Sequence, residues 1–146
     1  MKRFALTLSG VRAEGVLLED AAPACTATWW SLLPFTAELR HFRWGGAAGY
    51  TSLPAMGHAS DSENLVTFYP RFSICVRPGD FGEIVFAYGQ AQARSHTILA
   101  AWACHFADID TNKEAFFEEV YKTMTGGMRV LEVSRVAEEP TAQKEA

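Results

Sequence analysis

Phe4, Leu6 and Leu8 alternate with Arg3, Ala5 and Thr7, the period-two pattern of a strand that buries one face. Ser9 and Gly10 supply turn chemistry, and Val16 to Leu18 reads as the hairpin partner. The spacing then changes. In AAPACTATWWSLLP, Ala24, Ala27, Trp30 and Leu33 recur at helical intervals. Asp20 is placed to cap this helix, and Pro23 falls in its first turn, where a missing N–H is tolerated. Pro34 pushes the residue before it out of the α region, so the helix is expected to end by Leu33. Trp30 is the residue expected to anchor it on a sheet.

Further along, Phe35 to Trp44 reads as a strand closed by Gly45 and Gly46, with Gly49 to Leu53 as a short partner. The polar stretch PAMGHASDSEN follows as the most flexible loop. Leu65 to Tyr69 and Arg71 to Val76 are strand-like pieces broken by Pro70, and the second sets Phe72, Ile74 and Val76 against Arg71, Ser73, Cys75 and Arg77. Glu83 to Tyr88 and Thr97 to Phe106 are two more strands. Thr111 and Glu114 have capping-box spacing ahead of a second helix through Met124, and Gly126 with Gly127 can stop it. Met128 to Val136 is the last strand. Many short strands and only two helices exclude a repeating βαβ sheet and predict a mainly β protein, a closed antiparallel barrel of about eight strands with two covering helices. One domain is expected over residues 1–136, with a disordered tail over 137–146.

Composition narrows the partners. The 146-residue chain is 49% hydrophobic, enough for one core without disulfides or metals. Seventeen acidic and thirteen basic side chains give a net charge of −4, with no Lys/Arg cluster to track phosphates, which argues against nucleic acid. MKRFALTL lacks the apolar region of a secretory signal, and no apolar run reaches the ~18 residues of a membrane span. A cytoplasmic protein is expected. Cys25, Cys75 and Cys104 form neither a disulfide framework nor a CxxC knuckle and read as small buried apolar residues.

The candidate chemistry is dispersed. His41, His58, His96 and His105 show no HxH, i,i+4 or HExxH pattern, so neither a metal site nor a cofactor is expected. Arg40, His41, Arg43, Tyr69, Arg71, Tyr88, Arg94 and His96 fall at strand ends or adjoining loops, where a barrel mouth would gather them. Guanidinium groups grip carboxylates bidentately and tyrosines add an apolar wall with one donor, which suits a small anionic ligand. Glu63 reads as a turn residue. Glu83 shares a strand face with Val85 and Ala87, opposite the core-facing row of Ile84, Phe86 and Tyr88, and so points outward or lies at the strand start.

The order of LLEDAAPACTATWWSLLP, WGG, ENLVTFYP and PGDFGEIVFAYG resembles DUF3830, a bacterial family of unknown function with a cyclophilin-like barrel. The resemblance runs from about Phe4 to Arg135. It implies the cyclophilin-like fold and no established reaction. Cyclophilins themselves place a Phe five residues after the catalytic Arg and a Gln three residues later. After Arg43 those positions hold Ala48 and Thr51, so prolyl isomerisation is the weakest alternative.

The leading expectation is a small metabolite, carboxylated ones among the candidates, bound in a cleft at a barrel end, with candidate ligand residues His41, Arg43, Tyr69, Glu83, Tyr88 and His96 and no assigned catalytic residue. A homo-oligomeric assembly protein, using Trp29, Trp44, Tyr50 and Phe117 as an interface, is the alternative from another class.

Overall fold

The computed structural model describes residues 1–94 and 101–137. Its elements are β1 (Arg3–Leu8), β2 (Val11–Leu17), α1 (Pro23–Leu32), β3 (Phe35–His41), β4 (Gly46–Ser52), α2 (Pro54–Gly57), β5 (Leu65–Val66), β6 (Ser73–Arg77), β7 (Glu83–Ala91), β8 (Ala103–Thr111), α3 (Lys113–Tyr121), α4 (Thr123–Gly126) and β9 (Arg129–Arg135). Eight strands run in the order β2-β1-β9-β3-β4-β7-β6-β8, and β2 pairs with β8 to close the barrel. All pairings are antiparallel, and closure leaves these strands no unpaired edge. The short β5 adds to β8 outside the ring. The predicted cyclophilin-like barrel is therefore the observed fold.

Alternation fills the interior. Leu6, Leu39, Ile74, Val76, Ile84 and Phe86 are fully buried in one continuous cluster. Helix α1 closes one end: Trp29 sits edge-on to Phe4 and Phe35, with ring centroids 5.5 and 5.3 Å away, and 5.1 Å from Phe106. Helix α3 closes the other, where Phe117 packs 5.2 Å from Phe72.

Several local expectations are corrected. The buried face of α1 carries Cys25, Thr26 and Trp29, one position off the predicted stripe, while Trp30 is only partly buried, packed at the margin of the core beneath the guanidinium of Arg135 at 4.6 Å. Two adjacent tryptophans on a short helix give no periodic signal strong enough to choose between them. Asp20 does not cap the helix; Ala22 is the N-cap residue and has no side chain able to accept. Glu63 takes over from 39 residues away, accepting the N–H of Ala24 at 2.8 Å and that of Cys25 at 3.0 Å. A carboxylate there satisfies two orphan donors and meets the positive end of the helix dipole. The predicted TNKE capping box is also absent, since Asn112 is the N-cap residue of α3, in a left-handed conformation with φ 57° and no side-chain cap bond.

The stretch read as a flexible loop contains α2, whose Met56 is fully buried. The strand expected from Thr97 starts at Ala103 and runs to Thr111; residues 97–100 of that expectation, His96 and the predicted tail from 138 lie outside the described residues. Leu65 to Tyr69 shortens to the two residues of β5. Trp29 and Phe117, offered to an assembly interface by the sequence, are interior residues.

The off-by-one face of α1 has a measurable consequence. Trp29→Ala is expected to cost about 3–5 kcal/mol in urea unfolding, the usual penalty for emptying a buried aromatic site, and Trp30→Ala, at a partly buried position, about 1–2 kcal/mol. Glu63→Ala should cost about 1–2 kcal/mol through the lost cap.

Candidate functional site

The site is built around the turn between β6 and β7. Arg77 and Glu83 are directly paired across this hairpin, with Pro78-Gly79-Asp80-Phe81-Gly82 as the loop. The loop is held on α2 and the end of β4: the Gly79 N–H donates to the Gly57 carbonyl at 3.0 Å, the Leu53 N–H to that of Gly82 at 2.8 Å, and the Ser52 hydroxyl to that of Phe81. Two glycines are required. Gly82 has φ +62°, and a Cβ there would lie 2.0 Å from the Leu53 oxygen; a Cβ at Gly57 would lie 1.9 Å from that of Gly79. The turn therefore fixes where Phe81 and Glu83 stand.

Glu83 is on the outward row of β7, as expected, yet it is only 7% exposed. A second apolar cluster covers the outer face of β6 and β7, formed by Phe42, Tyr69, Cys75, Val85 and Ala87, with Trp44 and Tyr50 packed against it. Phe42 is its hub, 6.0 Å from Trp44 and 6.1 Å from both Tyr50 and Tyr69. Beside this cluster lies an open pocket of about 430 Å3 lined by Trp44, Tyr50, Arg77, Phe81 and Glu83 with the turn backbone.

The polar groups beneath it are poorly satisfied. The Arg77 Nη1 is 3.8 Å from the Glu83 Oε1 and donates instead to the Arg94 carbonyl at 3.2 Å. Glu83 Oε1, Arg77 Nε and the Tyr69 hydroxyl are all buried without a hydrogen-bond partner among the described residues. Burial pushes the Glu83 carboxyl up to about 7, against a smaller opposing pull from Arg77. The Tyr69 phenol is raised too, by burial and then by the nearby Glu83 charge.

A larger cleft of about 750 Å3 opens on the other side of Trp44 and Tyr50. Arg40, His41 and Arg43 line one wall, and the α4–β9 connection, from Thr123 to Met128, lines the other. No carboxylate of the described residues lines it. Arg40 is paired with Glu38 at 2.9 Å, but Arg43 has neither an ion pair nor a hydrogen bond among the described residues. His41 Nε2 shares a hydrogen bond with the Tyr88 hydroxyl at 2.9 Å, and Tyr88 packs edge-on to Tyr121 at 5.7 Å. Burial, and then the charge of Arg43, hold the imidazole below its ordinary pKa, so it is neutral at pH 7.

Of the six sequence candidates, the structure brings His41 and Arg43 into the large cleft with Tyr88 bonded behind them. Glu83 lines the smaller pocket, with Tyr69 buried near it, and His96 lies outside the described residues. Ala48 and Thr51, at the offsets where cyclophilins carry Phe and Gln, are buried and supply no amide to Arg43. Sequence reasoning missed Arg77, Phe81 and the Thr123–Met128 wall as site residues. Arg77 was findable: opposite charges flanking a five-residue turn face each other once the hairpin closes.

Glu83 imposes a pH dependence on stability. Its folded pKa, about 7, exceeds its ordinary value of 4.5, so the folded state holds the extra proton between those limits. Stability is expected to be fullest below about pH 4.5 as far as this group is concerned and to fall as pH rises toward 7. The loss is up to about 3 kcal/mol, each tenfold change in proton affinity being worth about 1.4 kcal/mol. Glu83→Gln should flatten this slope in urea titrations between pH 5 and 8 and be the more stable form at pH 8; an unchanged slope would place its origin elsewhere.

No curated protein matches the chain significantly in sequence. Among solved structures it is similar to McbB in complex with tryptophan, with TM-score 0.74 and 14% identity over 94% of this chain. The chain spans about half of McbB, 46% of its length. It is also similar to a hypothetical protein of Archaeoglobus fulgidus whose structure was determined in solution, with TM-score 0.63 and 12% identity, covering 92% of this chain and 95% of that one. Identities this low establish a shared fold. The model of the family described as protein of unknown function, DUF3830, matches residues 4–135, and the chain, with the barrel and turn just described, belongs to that family.

Proposed function

We propose that the protein binds a small organic carboxylate in the cleft between Arg43 and the Thr123–Met128 wall. The observation that carries this reading is Arg43 itself, a guanidinium at a cleft of about 750 Å3 where, among the described residues, neither a lining carboxylate nor a partner of its own is found. A ligand carboxylate would meet Arg43 in bidentate geometry, with Arg40 adding positive potential from beyond its pairing to Glu38. Trp44 and Tyr50 give the apolar remainder of the ligand a flat wall, and Met124 and Met128, both largely exposed, give it an adaptable one. The neutral His41 adds a polar edge without a competing charge. McbB, whose fold is shared, was determined with tryptophan, an aromatic carboxylate, which agrees with this class of ligand.

Phenylacetate and indole-3-acetate are suitable probes. Both are expected to raise the melting temperature at millimolar concentration and to give saturable heats in calorimetry. Arg43→Ala should weaken binding about tenfold to a hundredfold, the worth of a charge-assisted hydrogen-bonded pair, and Arg43→Lys should recover part of it while losing the bidentate fit. No thermal shift from either probe, or binding indifferent to Arg43→Ala, would sink the reading.

A further inference from the structure

The smaller pocket has a different chemistry, and we propose that it is a receptor for a protonated organic amine, with Glu83 as its counter-ion and Trp44, Tyr50 and Phe81 as its aromatic walls. This goes beyond the carboxylate reading and does not depend on it. The pocket holds about 430 Å3, room for a ring bearing a short aminoalkyl arm. Glu83 is the one residue of its lining that is both acidic and buried; Asp80 is also on the rim but is fully exposed and lies 3.0 Å from His58.

Three features point to a cation. First, Glu83 accepts no hydrogen bond among the described residues, although it is 93% buried by its 7% exposure, so its acceptor capacity is left to whatever enters the pocket. Second, the ring centroid of Tyr50 lies 5.9 Å from Trp44 and 6.4 Å from Phe81, so three aromatic rings follow one another along one side of the pocket. Their faces attract an ammonium group, and most strongly where water is excluded. Third, Arg77 leaves Glu83 only partly neutralised: its Nη1 stands 3.8 Å from Oε1 and is committed to the Arg94 carbonyl. A ligand N–H3+ at hydrogen-bond distance would approach closer than Arg77 does.

Among the described residues, the charged groups around Glu83 are Arg77, at 3.8 Å, and Asp80 on the exposed rim. The Tyr69 phenol, raised by burial and by the nearby Glu83 charge, stays protonated at pH 7, and Trp44 and Tyr50 come from the β3–β4 side. Glu83, raised to about 7, changes charge between pH 6 and 8, and the amine, with a pKa above about 9, stays charged. Affinity should rise as pH increases through about 7, because the carboxylate is the binding form.

The test uses the full chain with benzylamine, benzyl alcohol and phenylacetate as single-function probes, followed by calorimetry and by chemical-shift changes of the tryptophan indoles. Benzylamine is expected to bind at pH 8 at least tenfold more tightly than benzyl alcohol and to weaken at pH 6. Glu83→Gln, which keeps the shape, should weaken benzylamine tenfold or more and abolish the pH dependence while leaving phenylacetate binding unchanged. Phe81→Ala, at a residue 56% exposed and so without consequence for folding, should also weaken benzylamine. Equal binding of benzyl alcohol, no benzylamine binding at 10-fold millimolar excess, or benzylamine binding indifferent to both variants would each overturn the proposal. Failure of both phenylacetate and indole-3-acetate while benzylamine still binds would overturn the carboxylate reading and leave this one standing.

Discussion

Strand β7 is buried on both faces, and the arrangement of the rest of the molecule follows from that. Ile84 and Phe86 fill the barrel, while Val85 and Ala87, on the outward row, are covered by a separate aromatic cluster. An antiparallel strand with one solvated face would carry polar residues on the outward row. Here that row is apolar except at its first position, where Glu83 enters the covered region and loses its water. Removing a carboxylate from water without giving it hydrogen bonds costs more than the long contact to Arg77 returns, which is why the proton stays on to about pH 7. A folded protein retains such a group at a net cost to stability, and costs of this kind concentrate at sites of binding or catalysis.

The same geometry links the site to the core. The turn from Pro78 to Gly82 presents Phe81 and Glu83, and it is seated on α2 through backbone bonds that only glycine at 57 and 82 permits. Met56 of α2 is part of the interior cluster. The pocket is thus fixed by core packing and main-chain hydrogen bonds, with little left to the conformational freedom of a surface loop. On the other side of Tyr50, the Arg43 cleft is bounded by α4 and the start of β9, whose exposed Met124 and Met128 can repack around different ligands.

Where side chains repeat at the period of their own element, the fold was legible in the sequence. The alternation in β1, β6 and β7 predicted the inward rows residue by residue, and the two helix positions followed from proline and glycine punctuation. Interactions between distant segments were not legible. Glu63 caps α1 across 39 residues, and nothing near either partner announces it. The buried face of α1 was missed because the helix is apolar nearly all round. The covering of Glu83 was missed because it depends on Phe42, Trp44 and Tyr50, which come from a different hairpin and whose meeting with β7 is set by strand order. Of the candidate site, the residue types were readable and their division between two clefts was not.

That division depends on a residue that lines neither cleft. Phe42 is fully buried, its N–H donates to the Ala48 carbonyl at 2.8 Å where the β3–β4 hairpin closes, and its ring sits between those of Trp44, Tyr50 and Tyr69. Trp44 and Tyr50 line both clefts, so Phe42 supports the common wall from beneath. The wall keeps Arg43 and Glu83 in different basins. Apolar packing therefore sets the division: Phe42 holds Trp44 and Tyr50 as the shared partition between the cleft that Arg43 lines and the pocket that Glu83 lines.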